Sequence, residues 1–292
     1  CGFCSLKANK VRFRSIDNVI AEIEDKLEIT GSRGVNFKDP SLTLVKGYVK
    51  ELCEKILERN LNVKWMCYSR VDIDLDLLVL MRKAGLVGVE VALESGSPRV
   101  LKSIKKRIDI DQFGRVCKDA YELGIKVWVF CLISLPDERV EDVDMTLSVI
   151  RRMSRYIYRA GMQSVRILPD AAIYNIAMER GLLPSDFSWF EPYEREIDPR
   201  ISSEHYKNVP LYLEHLTTED IIRKVDEFGD VIRTELVNFQ SLKISIINNL
   251  KYTSIKKLSY KDVIVKACRA ITRFITAYNN RQKEKFLKIN VK

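Results

Sequence analysis

The sequence predicts an α/β fold, with a parallel sheet of βα units over residues 1–184 and a mainly helical region over residues 185–292. From residue 15 to about 181, short β-branched or aromatic runs alternate with longer stretches whose apolar residues recur at helical spacing, the pattern of repeated βα units. Gly85 and Gly124 each stand between a helical pattern and the next strand pattern, where a helix ends in a left-handed residue. After Pro184 the pattern changes to an irregular stretch with Trp189, Phe190, Pro192, Tyr193 and Pro199, and then to helix.

The first helix opens at Ser15 or Asp17, either of which can cap its free amides, carries Val19, Ile20, Ile23 and Leu27 on one face, and ends near Gly31. A strand follows at 34–38, then a helix over about 44–60 with Val45, Val49, Leu52, Cys53, Ile56 and Leu57 on one side. Next come a strand at 63–68, a helix from about Asp74 to Gly85, and strands at 88–93, 126–133 and 164–168. From Thr217 onward Ile221, Ile222, Val225, Phe228 and Ile232 again follow helical spacing. With one further strand ahead of Cys1, the units would form a partial (β/α)6 TIM-like barrel joined by right-handed crossovers. Strand C-termini then gather at one face, where loops converge and helix N-termini offer amides. That singles out residues 1–5, Asp39, residues 68–70, 94–97 and 134–138.

Composition is that of an ordinary globular protein, 46% hydrophobic and 30% charged. No apolar run approaches the roughly 18 residues of a membrane span. The seven cysteines form no dense framework, which points to reduced thiols and a cytoplasmic location. The chain begins at Cys1 rather than Met, with the expectation that a segment precedes it. The net charge of +9 is concentrated in residues 241–292, where thirteen lysines and arginines face only Asp262 and Glu284. A solvated face on lysine-rich helices explains such a tail more simply than a nucleic-acid or anionic-surface interface. Phosphate-binding glycine loops, nucleophile elbows and dinucleotide fingerprints are missing.

Cys1 and Cys4 are two residues apart, so both sulfurs can face one metal centre. The same pair suits half of a zinc site or a redox dithiol. Glu94 ends an otherwise apolar strand, where a carboxylate is costly to bury unless paired; its alternative use is to cap the helix beginning near Ser97. Asp39 precedes Pro40, and an Asp-Pro turn is its competing role. Lys106 sits in a Lys105-Lys106-Arg107 run that a solvated face would explain, and Phe3 could equally be a core aromatic. Cys67 and Cys131 lie within strands as small core hydrophobes, and His205 and His215 are too far apart for a helical metal pair.

In order and spacing, several stretches together resemble the radical S-adenosylmethionine (SAM) superfamily, in particular members with a cobalamin-binding domain ahead of the barrel. They are Cys1-Gly2-Phe3-Cys4-Ser5, Arg14-Ser15, Asn36-Phe37-Lys38-Asp39, the run from Trp65 to Asp72, Val91-Ala92-Leu93-Glu94-Ser95-Gly96-Ser97 and Leu132-Ile133-Ser134-Leu135-Pro136-Asp137-Glu138. The resemblance implies a 4Fe-4S cluster held by Cys-x3-Cys-x2-Cys, of which Cys1 and Cys4 match the second and third ligands; the first would stand four residues before Cys1, so the chain as it stands is expected to hold a cluster poorly. It further implies SAM as cofactor, with Phe3 beside adenine, Asp39 near the amino group, Glu94 on SAM and Lys106 on the methionine carboxylate. Cobalamin in an upstream domain, an electron donor such as a ferredoxin or flavodoxin, and a small-molecule or lipid substrate complete the expectation. The reaction would begin with reductive cleavage of SAM and end in methylation, ring formation or another rearrangement. Two alternatives stay open: a methylthiotransferase-like protein acting on tRNA, and a noncatalytic βα barrel whose Cys pair is structural or binds zinc. This chain departs from the family at Ser134, Asp137, Tyr68 and Pro169-Asp170-Ala171-Ala172.

Overall fold

The computed structural model describes residues 3–4, 11–191, 201 and 208–236; Cys1, His205 and the basic tail lie outside them. The chain divides into two compact units, Cys1–Asp226 and Glu227–Lys292. Of the second, only residues 227–236 are described.

The first unit is built on five parallel strands in sequential order: β1 (Gly34–Phe37), β2 (Lys64–Ser69), β3 (Leu86–Glu94), β4 (Lys126–Ile133) and β5 (Arg159–Ser164). Helix α1 (Ile16–Thr30) precedes the sheet; α2 (Lys46–Glu58), α3 (Leu75–Lys83), α4 (Pro98–Ser103), α5 (Ile110–Glu122) and α6 (Val140–Met153) fill the crossovers; α7 (Ala172–Glu179) and α8 (Thr218–Glu235) follow β5. Ser15 caps α1 through the Asn18 amide, and Asp74 caps α3 through that of Leu77, as residues with short side-chain acceptors do. Gly85 and Gly124 take φ of 100° and 69° just before β3 and β4, which is what their sequence positions required. No described helix is long and apolar enough to cross a membrane.

Strand alternation gives the sheet two unlike faces. Trp65 and Cys67 of β2, Val89, Val91 and Leu93 of β3, and Val127, Val129, Cys131 and Ile133 of β4 are buried with the helix residues Leu52, Ile56, Leu78, Met81, Phe113, Val116, Leu147 and Ile150. The Trp65 indole N–H donates to the Ala84 carbonyl at 2.8 Å on this side. The other face carries, in one row across the strands, Tyr68, Glu90, Trp128 and Arg159.

The last strand differs from its sequence expectation. β5 is Arg159–Ser164, not 164–168, and is formed by residues of weak strand propensity paired in register with β4. The β-branched stretch after it is buried and runs against another segment: Arg166 bridges Leu211 in antiparallel sense, and the Ile167 amide donates to the Pro210 carbonyl at 2.8 Å. An edge strand needs a single ladder partner and no apolar alternation, so its position is not written in its side chains.

Candidate functional site

β3 ends in an irregularity. Its pairing with β4 slips between Ala92 and Glu94, and Glu94 takes a φ of 63°, uncommon for a residue with a Cβ. Ser134 and Asp137, past the end of β4, share that conformation with φ of 68° and 64°. Such strain persists only where the surroundings over-determine it.

The surroundings are a buried polar network. Ser97 caps α4, and its hydroxyl donates to Asp142 at 2.6 Å; the Gly96 amide donates to the Thr146 hydroxyl at 2.8 Å; Arg99 closes on the second oxygen of Asp142. A Cβ on Gly96 would stand 2.6 Å from Thr146 Cα, so only glycine lets the β3–α4 turn lie against α6. Burial alone would raise Asp142, but the bonds from Ser97, the Arg139 amide and Arg99 outweigh it and hold its carboxyl below the usual range. Glu138 is almost fully buried, and burial pushes its carboxyl up to about 8, although it accepts from the Leu135 amide at 3.1 Å.

Upon this frame Glu94, 6% exposed, meets Lys106, whose ammonium lies 2.7 Å from its carboxylate. Ser97, not Glu94, caps the following helix. Lys106 stands beyond the end of α4, where its amide donates to the Leu101 carbonyl at 2.8 Å, instead of in the solvated run the sequence suggested. The ring of Phe3 lies 5.9 Å from the same ammonium and packs on the cluster of Leu101, Ile104, Leu135 and Leu132. Cys4 follows at once, and alone among the described cysteines it is not fully buried. Cys53, Cys67 and Cys117 are pushed by burial up to about 12 and Cys131 higher still, which suits packing and not thiolate ligation.

Phe3, which Cys4 follows in sequence, is thus brought together with Glu94 and Lys106. Asp39 is not: it borders a cavity of about 650 Å³ with Arg12, Phe13, Lys38 and Tyr48, and forms no hydrogen bond or ion pair with Glu94 or Lys106 among the described residues. Sequence reasoning missed Asp142 and Thr146. Their signal was a pair of polar residues four apart within the apolar stripe Val143, Leu147 and Ile150 of α6. Asp137, Glu214 and His215 also converge, but Arg180 already pairs with both carboxylates, so the cluster reads as an ion-pair network.

Residues 1–150, just over half of the chain, match the family model of the radical SAM superfamily. The chain belongs to the radical SAM superfamily. An uncharacterized methyltransferase of Pyrococcus horikoshii is 26% identical over 210 residues, covering 70% of this chain and 45% of that protein. The anaerobic magnesium-protoporphyrin IX monomethyl ester cyclase of Rubrivivax gelatinosus is 30% identical over 156 residues, 52% of this chain and 28% of its own. Among solved structures, the radical SAM methyltransferase TsrM of Kitasatospora setae, bound to tryptophan and a SAM analogue, superimposes with a TM-score of 0.64 at 16% identity, covering 80% of this chain and 50% of that one; at this identity the likeness is one of fold. The chain spans about half or less of the length of these proteins. Membership of the radical SAM superfamily implies a 4Fe-4S cluster and SAM. Of the described thiols only that of Cys4 is not fully buried, and Cys4 follows in sequence Phe3, whose ring lies near the Lys106 ammonium.

Proposed function

We propose that this radical SAM chain cleaves SAM reductively at a 4Fe-4S cluster and directs the resulting chemistry to the methylation of a small molecule. The observation that carries the reading is the Glu94–Lys106 pair at a strained strand end, with the ring of Phe3, the sequence neighbour of Cys4, near the Lys106 ammonium. Cys1 and Cys4, with a third thiolate, would hold the cluster. When bound, the cluster supplies the electron that splits SAM into methionine and a 5′-deoxyadenosyl radical.

The chain's own residues bind and orient. Lys106 offers its ammonium to the methionine carboxylate, and Glu94 accepts from SAM donors while keeping that ammonium in place. Phe3 gives adenine a flat apolar wall, and the buried cluster of Leu101, Ile104 and Leu135 behind it excludes water from the radical. Asp39, two residues past the end of β1 and in no hydrogen bond or ion pair with Glu94 or Lys106 among the described residues, would take the SAM amino group only as the family resemblance implies. Two relatives named as a methyltransferase and a cyclase support methyl transfer or ring formation, and the cobalamin bound in a TsrM structure supports a methyl-carrying corrinoid in a further domain. A ferredoxin or flavodoxin is the fitting electron donor.

The test takes the protein with a cysteine four residues ahead of Cys1, reconstitutes it anaerobically with iron and sulfide, and supplies dithionite and SAM. 5′-Deoxyadenosine and methionine should appear in equal amounts. Cluster absorbance without either product overturns the proposal.

A further inference from the structure

The loop after β4 contains two left-handed residues, Ser134 and Asp137, at φ of 68° and 64°. A side chain disfavours that conformation by roughly tenfold per residue, so contacts must hold the loop in it. The Ser134 hydroxyl donates to the Tyr212 carbonyl, and the Asp137 amide donates to the Glu214 carboxylate at 2.9 Å, across 78 and 77 residues of chain. Arg180 donates to the Asp137 carboxylate at 3.0 Å and also closes on Glu214, to which the Tyr212 hydroxyl donates at 3.0 Å. From the side of α4, the Ser103 hydroxyl donates to Asp137 at 2.6 Å. The later segment is itself anchored: Tyr212 is fully buried, and its amide donates to the Val165 carbonyl at 3.1 Å. Inside the loop, the Leu135 amide donates to the Glu138 carboxylate at 3.1 Å and the Glu138 amide to the Leu135 carbonyl at 3.0 Å. Leu135 belongs to the buried cluster on which Phe3 packs, and Glu138 accepts at 3.5 Å from the hydroxyl of Ser95, the residue after Glu94.

We propose that residues 210–214 latch the β4 loop in its left-handed form, and that Arg180 and Glu214 are thereby positioning residues for SAM. Neither forms a hydrogen bond or ion pair with Glu94 or Lys106 among the described residues; both act through Asp137. Released from Glu214, Asp137 falls back to the right-handed region that its side chain favours, and the Leu135–Glu138 turn opens. The apolar wall behind Phe3 and the support of Ser95 then shift together. A glycine in place of Asp137 has no such preference, because without a Cβ it takes positive φ as readily as negative. The effect on SAM rests on Glu94 and Lys106 being SAM contacts, whereas the latch rests on the geometry of the loop alone.

The experiment is a double-mutant cycle of Glu214→Ala and Asp137→Gly in the full chain, with two readouts. Amide exchange at Leu135 and Glu138, followed by NMR without SAM, reports the loop; neither amide bonds to Glu214, so both quicken only if the turn opens. Equilibrium dialysis of SAM against the cluster-loaded protein reports the site. Glu214→Ala alone should quicken both amides and weaken SAM about tenfold, the preference of one left-handed residue. Added to Asp137→Gly, it should leave both readouts nearly where Asp137→Gly alone puts them, whereas a merely structural role would cost the same in both backgrounds. Arg180→Met, which removes the other tie to Asp137, should act in the same direction and keeps the test open if Glu214→Ala does not fold. Exchange at the Trp65 amide, bonded to the Gly85 carbonyl, should stay constant and so certifies the fold of each variant. Unchanged exchange at Leu135 and Glu138, an equal cost in both backgrounds, or faster exchange with SAM affinity intact would each overturn the proposal. Native protein that binds no SAM overturns the SAM reading instead, and the exchange readout still decides the latch.

Discussion

A carboxylate at a buried strand end keeps its charge only if a cation or several donors meet it, and Lys106 does this for Glu94 at 2.7 Å. Lys106→Met leaves that charge unpaired and should cost about 3 kcal/mol, read by urea unfolding; adding Glu94→Gln should recover part of the loss. Both variants should also weaken SAM binding in equilibrium dialysis. Glu138 behaves in the opposite sense. Its folded pKa is raised from 4.5 to about 8, so the stability it contributes is complete below about pH 4.5 and is lost as pH rises through 8. Glu138→Gln, which keeps an acceptor for the Leu135 amide, should therefore raise Tm more at pH 8.5 than at pH 5. Glu94 was legible in the sequence because a lone acid ending an apolar strand has few uses. Its pairing with Lys106 was not, since that depends on the chain reversing after α4.

The turn from β3 into α4 is fixed by what it touches on α6. Gly96→Ala drives a methyl into Thr146 Cα and the Met145 carbonyl, backbone atoms that cannot step aside, and should cost about 3 kcal/mol in thermal or urea unfolding. SAM affinity should fall with it, because Glu94 hangs from the same turn. Most elements could be read directly: the caps of α1 and α3 and the glycines before β3 and β4 stand where local chemistry required them. β5 could not, because edge pairing with β4 outweighs the weak propensity of Arg159-Ala160-Gly161-Met162-Gln163-Ser164, while the better strand-like residues after it join the segment at 210–212. The polar contacts from Ser97 to Asp142 and from Gly96 to Thr146 span 45 and 50 residues, a distance over which a single sequence carries no pairing information.

Across the whole sheet, the two faces differ in burial. Leu93, fully buried on the helix-covered side, should cost about 2–5 kcal/mol when cut to alanine. Tyr68 on the open side, 6.4 Å from the Phe130 ring and under the Lys38 ammonium, should cost much less in denaturant unfolding, since water already reaches it. The parallel order of the strands was predictable from the repeated βα pattern. The difference between the faces emerged only when alternation was placed in register across four strands.

Cys53 on α2, Cys67 on β2, Cys117 on α5 and Cys131 on β4 were described above as packing groups, yet together they form a set of internal clocks. None can ionise appreciably near neutral pH while enclosed, so each will meet an alkylating reagent only as often as its own element opens. Mass-resolved labelling over time would then report four local opening rates from a single unmodified chain.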